Sequence, residues 1–244
     1  MLPELILREE QEENYTLLAG LGFASVLFAF AVSGFLFPSQ ADLLVVIFAA
    51  IPLVYPLVSF FFDDEKSYAP HTPEALNYFS LFFGQVLAFL ILGYFRPEFF
   101  AVQSQAAGIS GNAVDPGFFL GLLLNNMTVF VSIAFVSFIT GSAGAFILSW
   151  NASVLGVFLA SLLLRLPRNV SAYLLGDGKT APPLAYVPHA TFEMSGFILA
   201  GISGTLMSAA FYRKHFDKKH WKDFGKLFVA GVLLILIGAF LEAT

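Results

Sequence analysis

Residues 188–212 read PHATFEMSGFILAGISGTLMSAAFY, an apolar run in which Glu193 is the one acid. At about 1.5 Å of rise per residue, a helix of this length covers about 37 Å, more than the roughly 30 Å hydrocarbon core of a bilayer. Gly196, Ala200, Gly204 and Ser208 place a small side chain at every fourth position. At about 100° per residue, Glu193 lies within about 60° of the first three, and His189 sits four residues back on the same face. A stripe of small residues lets another helix approach closely. A carboxylate in hydrocarbon costs several kcal/mol unless protein surrounds it. The run therefore predicts a membrane-spanning helix whose acid points into a helix–helix interface.

The rest of the chain fits that reading. Of 244 residues, 58% are hydrophobic and 12% charged, 30 are phenylalanine, and mean hydropathy is +0.80. A soluble domain of this size has about 45–50% apolar and about 25% charged residues, so a compact soluble fold is excluded. The strongest apolar windows are 17–37, 43–62, 75–95, 117–140, 142–164, 188–212 and 224–241. No alternating pattern of the barrel kind appears, so the expected fold is all-α, a polytopic transmembrane bundle of about seven spans with interfacial helices. The chain divides into an N-terminal part, 1–116, with an amphipathic start and three spans, and a four-span part, 117–244, with a basic loop. Pro52 and Pro56 predict a kinked second span. Gly141-Ser142-Ala143-Gly144 predicts a tight hairpin between the fourth and fifth, and the fourth, fifth and sixth spans are expected to form the tight core.

Five glutamates and one arginine precede the first window, unlike the basic start of a signal peptide, so that span is expected to be retained. Arg213, Lys214, Lys218, Lys219, Lys222 and Lys226 cluster after the sixth window. Putting that loop in the cytoplasm places eight Lys and Arg inside against four outside. The N-terminus is then cytoplasmic and the C-terminus outside, in a multi-pass protein of the cell membrane. Met1 to Asn14, Pro97 to Pro116 and Lys214 to Lys222 are expected to lie along the membrane surface. A net charge of -5 gives nucleic acid no purchase, and the absence of cysteine excludes thiol chemistry.

Polar residues within the spans are the candidate site. If Pro188 opens its helix at the outer interface, Glu193 lies about 7 Å below it, with His189 available as a partner. Asn125 and Asn126 stand about 13 Å inside the fourth span by the same rise. Asn151 is at similar depth in the fifth, where Ala152, Gly156 and Ala160 form a second small stripe. Buried amides must find partners in lipid, either in simple helix–helix bonding or in one polar pocket with His189 and Glu193. The candidate pocket residues are thus Asn125, Asn126, Asn151, His189 and Glu193, and the candidate packing residues Gly156, Gly196, Ala200 and Gly204. Catalytic templates mostly fail. There is no H-E-x-x-H, nucleophile elbow, P-loop or dinucleotide fingerprint. No cofactor is expected from a motif. A divalent metal on His189 and Glu193, in H-x-x-x-E spacing, is the one such reading, and it lacks a third ligand.

Leu124-Asn125-Asn126, Gly141-Ser142-Ala143-Gly144, Trp150-Asn151-Ala152 with Gly156, Pro188-His189-Ala190-Thr191-Phe192-Glu193 and the run to Gly204 occur in that order. Together they resemble the stage II sporulation protein M family, with its paired asparagine, glycine-rich turn, Asn-Gly and Pro-His-Gly-x-x-Glu segment. Ala152 and Ala190 stand where the family usually has glycine, so the tightest backbone approach is lost there. The resemblance covers roughly 117–212. It implies an integral membrane protein. In endospore-forming bacteria the family works in a membrane complex with a peptidoglycan-degrading partner during engulfment, while many relatives have no settled biochemical role. Three functions follow as expectations. The first is a scaffold or channel-like protein that assembles through its helices, as a homo-oligomer or with other membrane proteins. The second is a transporter of a small solute, ion or lipid with Glu193 as coupling acid. The third is an intramembrane metal-dependent hydrolase.

Overall fold

The computed structural model describes residues 14–64, 72–108, 116–141, 144–164, 186–212, 214 and 218–243. The expected amphipathic start and the charged segment Arg165 to Lys179 lie outside the described residues, as do parts of the two other expected surface segments. Among the described residues there are eight α-helices, one short 3-10 turn and no strand. They are α1 (Tyr15–Leu36), α2 (Ala41–Asp64), α3 (Thr72–Phe95), the 3-10 turn Pro97–Phe100, α4 (Ala101–Gly108), α5 (Pro116–Thr140), α6 (Gly144–Leu164), α7 (Tyr186–Tyr212) and α8 (Lys218–Ala243). Six helices are long and apolar enough to cross a membrane, with mean hydropathy of 1.5 to 2.4, and Ala41–Val54 of α2 forms a shorter apolar stretch. The chain is a multi-pass membrane protein.

Local signals set several helix ends. Asn14 caps α1 by accepting the Leu17 N–H on its side-chain oxygen at 3.0 Å. Gly141 ends α5 with φ of 75°, its N–H returning to the Ser137 carbonyl at 2.7 Å. That left-handed conformation favours glycine and turns the chain within a few residues into α6. Lys214, two residues past the end of α7, also has a left-handed backbone, with φ of 58°, and its N–H returns to the Phe211 carbonyl at 3.1 Å. α2 carries Pro52 and Pro56 within its helical span. One boundary differs from expectation: α8 starts at Lys218, so part of the lysine-rich segment is its first turn rather than a separate surface helix.

The helices pack in two groups. In the first, α1 and α3 run parallel, α2 returns antiparallel beside them, and α6 packs along α3. A Cβ on Gly84 would stand within bonding distance of the Ala19 carbonyl oxygen, and one on Gly22 would strike the Leu81 carbonyl. Gly156 brings α6 against Phe89 and Val86 in the same way, at 2.6 and 2.7 Å. The 3-10 turn closes the end of this group, with Phe30, Phe89, Phe99 and Phe100 stacked over it.

The second group is α5, α7 and α8. Among the six long apolar helices of the described residues α7 is the most enclosed, with 78% of its apolar window buried against 22–50% for the other five. It packs most extensively on α8 and then on α5. The tight core expected of the fourth, fifth and sixth spans is therefore corrected. α5 and α7 meet closely, but α6, joined to α5 by the short turn, makes its main contacts with α3 and α2. The turn fixes only the adjacent ends of α5 and α6, where Ser137 Oγ occupies the space beside Gly144.

Candidate functional site

α7 carries the buried acid into the middle of the second group. Glu193 and His189 are both buried. Asn126, buried on α5, donates from Nδ2 to Glu193 Oε1 at 2.5 Å. On the other side α8 supplies Gly238, where a Cβ would lie 2.5 Å from Glu193 Cγ and 3.2 Å from the His189 carbonyl oxygen. Acid, amide and glycine thus come from three helices, and any larger residue at 238 would fill the room that the carboxylate side chain uses.

The other expected site residues fall differently. Asn125 is exposed on α5, its Nδ2 reaching Asn126 Oδ1 at 3.5 Å. Adjacent positions on a helix point about 100° apart, so only one of the pair can turn inward, and it is Asn126. Asn151 is half-buried on α6 and donates to the Ile147 carbonyl of its own helix at 2.9 Å. Among the described residues, no group of three or more His, Asp or Glu is placed to hold a metal.

The small residues each find a distinct neighbour. Gly196 faces Ile235 and Gly231 of α8, with a Cβ there 2.9 Å from Ile235 and 3.0 Å from the Gly231 carbonyl. Ala200 is fully buried. Gly204 lies on α5, where a Cβ would be 2.7 Å from Ser137 Cβ and closer still to the Ala134 carbonyl. Gly156 belongs to the first group, as described above. The glycines on α8 were not singled out in the sequence, although Gly231 and Gly238 stand seven residues apart and so share a helix face.

A second polar node was also missed. Gln85 of α3 is buried, donates from Nε2 to the Ala49 carbonyl of α2 at 3.3 Å and accepts from Ser149 Oγ of α6 at 2.9 Å. One amide inside the apolar run 81–95 was the available signal. Between the two groups, the hydroxyls of Tyr78 on α3 and Thr205 on α7 share a buried bond of 3.3 Å.

A multi-pass bundle, all-helical among the described residues, whose central helix carries an acid bonded to an amide of the neighbouring helix, defines an integral membrane protein. The family model described as Stage II sporulation protein M matches residues 24–244, and the chain belongs to that family. The match begins inside α1, so it extends well beyond the segment whose motifs carry the resemblance. No curated protein and no solved structure matches.

Proposed function

We propose that the protein is a membrane scaffold or channel-like subunit that assembles through its transmembrane helices and keeps a polar intramembrane pocket around Asn126, His189 and Glu193. The observation that carries this reading is the way α7 is held. Gly196 and Gly204 seat it against two different helices at backbone contact, and Glu193 is fixed between Asn126 and Gly238. Interfaces of small residues with polar bonds across them are how helices associate stably in lipid. In this reading the N-terminus is cytoplasmic, the C-terminus is outside, and the partners are further copies or other membrane proteins.

The transporter reading is favoured by one feature, an ionisable acid on the most enclosed span, where such groups commonly serve ion and proton pathways. Glu193→Gln separates the two, since it preserves shape and hydrogen bonding. A scaffold keeps its yield, melting temperature and assembly in the variant. A coupled transporter keeps its fold and loses ion- or proton-driven flux in proteoliposomes. Driven flux that stays fully active in Glu193→Gln removes Glu193 as the coupling acid, wild-type proteoliposomes without driven flux end the transporter reading, and loss of assembly without any change in folding ends the view that the acid is structural. A metal on His189 and Glu193 predicts bound metal in purified protein that falls in both His189→Ala and Glu193→Gln. For orientation, Lys222→Cys in this cysteine-free chain is expected to resist an impermeant thiol reagent added outside intact cells. Labelling from outside reverses the assignment.

A further inference from the structure

The exposed faces of the spanning helices are not alike. On α8, beyond its lysine-bearing first turns, the outward positions are Val229, Leu233, Leu236, Ile237, Phe240 and Leu241, all of them suited to acyl chains. α5 also exposes large apolar residues, Leu120, Leu124, Val131, Phe135 and Ile139, but among them stand Gly121, Asn125, Thr128 and Ser132, spaced by four, three and four residues along one face. Lipid tails offer these groups no hydrogen-bond partner.

Asn125 is the decisive member. A carboxamide has two donor hydrogens and an acceptor oxygen, and the 3.5 Å approach to Asn126 Oδ1 uses one donor. Thr128 donates its hydroxyl hydrogen to the Leu124 carbonyl at 2.7 Å, which leaves its oxygen able to accept. Above them Gly121 has open space, with nothing within 4 Å of where a Cβ would stand. α5 carries no charged residue, so nothing on it repels an identical helix. A face whose groups both donate and accept complements itself.

We propose that this face of α5 docks a second copy of the chain, α5 against α5 about a two-fold axis normal to the membrane, with Asn125 bonded to the partner's Asn125. Both copies then have the same orientation in the bilayer and the two helices run parallel, so like positions meet. Gly121 admits the close approach, and Thr128 and Ser132 continue the contact below it. The pairing has a consequence for the site. Asn125 bonds Asn126, and Asn126 bonds Glu193, so the two buried carboxylates are joined through amides across the interface. The inference rests on the reading that the protein assembles through its helices, and it names the helix and the partner.

The absence of native cysteine makes the test direct. Thr128→Cys and Ser132→Cys are oxidised in native membranes and compared with Phe28→Cys on α1 and Leu233→Cys on α8, both exposed positions. The expected result is a disulfide-linked dimer from the two α5 variants and monomer from the controls. In nanodiscs, Asn125→Leu is expected to weaken dimerisation about 3- to 20-fold, the range spanned by interhelical hydrogen bonds in membranes, with the melting temperature unchanged. A wild-type dimer that cross-links through α1 or α8 overturns the α5 interface while leaving assembly intact. A wild-type protein that is monomeric in nanodiscs at every concentration overturns both.

Discussion

The two helix groups use the same close-contact glycines and different polar chemistry. In the first group Gly22, Gly84 and Gly156 bring backbones together, and the polar node is neutral, Gln85 with Ser149 and the Ala49 carbonyl. In the second, Gly196, Gly204, Gly231 and Gly238 do the same mechanical work, and the node contains an ionisable acid, Glu193, bound by Asn126. A neutral amide network satisfies itself on three helices and needs nothing further. A carboxylate in the same setting is more costly to bury, which is why the acid-containing group is the better candidate for function. The contrast teaches that tight packing by itself does not mark the site, since both groups have it.

The contrast breaks most visibly at the glycines. Gly84→Val and Gly204→Val each push a side chain into a backbone carbonyl that cannot swing aside, and each is expected to lower stability by about 3 kcal/mol or prevent folding. Gly20→Val on α1, which meets nothing within 4 Å, is the control and is expected to purify normally. Equal melting temperatures for Gly204→Val and Gly20→Val would remove α7 from its place at the centre of the second group. Next in size is Asn126→Leu, which strips the buried acid of its donor and is expected to cost about 1–3 kcal/mol. Adding Glu193→Gln to that variant tests whether the cost belongs to the pair. A double-mutant cycle with no coupling would show that the bond contributes nothing. Gln85→Leu is expected to cost about 0.6–1.7 kcal/mol in the first group, with no effect on any flux or assembly that Glu193 governs.

The smallest effect concerns the end of the first group. Arg96 donates to Glu98 at 2.5 Å and holds its carboxyl below the ordinary value of 4.5. A lowered folded value means that the pair supports the fold above about pH 4.5 and that this support is lost as pH falls further. Both partners are largely exposed, so the contribution is slight. Glu98→Gln is expected to lower the melting temperature slightly at pH 7, to match the wild type well below pH 4.5 where the carboxyl is already protonated, and so to flatten the acid limb between them. A steeper acid limb in the variant would contradict it.

Much of the architecture could be read from residues alone because lipid imposes a length on every span. Six of the seven apolar windows correspond to α1, α3, α5, α6, α7 and α8, and the seventh, 43–62, falls within α2, whose apolar stretch among the described residues is the shorter Ala41–Val54. The Glu193 face of α7 was also legible, since a four-residue repeat of small side chains has one geometric meaning. Its partners were not. Nothing in Gly196 or Gly204 says that the first meets α8 and the second α5, because a stripe describes one helix and an interface needs two. The same holds for α6, whose Gly156 reads as a packing residue but whose neighbour, α3, is distant in sequence. The choice between Asn125 and Asn126 depends on a rotation of about 100°, which boundary uncertainty of a few residues cannot fix. Gln85 was legible in principle, as an amide within an apolar run, and became meaningful only with Ser149 and Ala49 beside it.

The short turn capped by Gly141 has a consequence for how the molecule is made. It ties α5, a member of the second group, to α6, a member of the first. During synthesis the surface of α3 that receives Gly156, formed by Val86 and Phe89, waits for a helix that emerges only after α5 has entered the bilayer. Neither group can then be completed before the other has begun. The order of helices along the chain thus interleaves the two halves, the last helix of the first following the opening helix of the second.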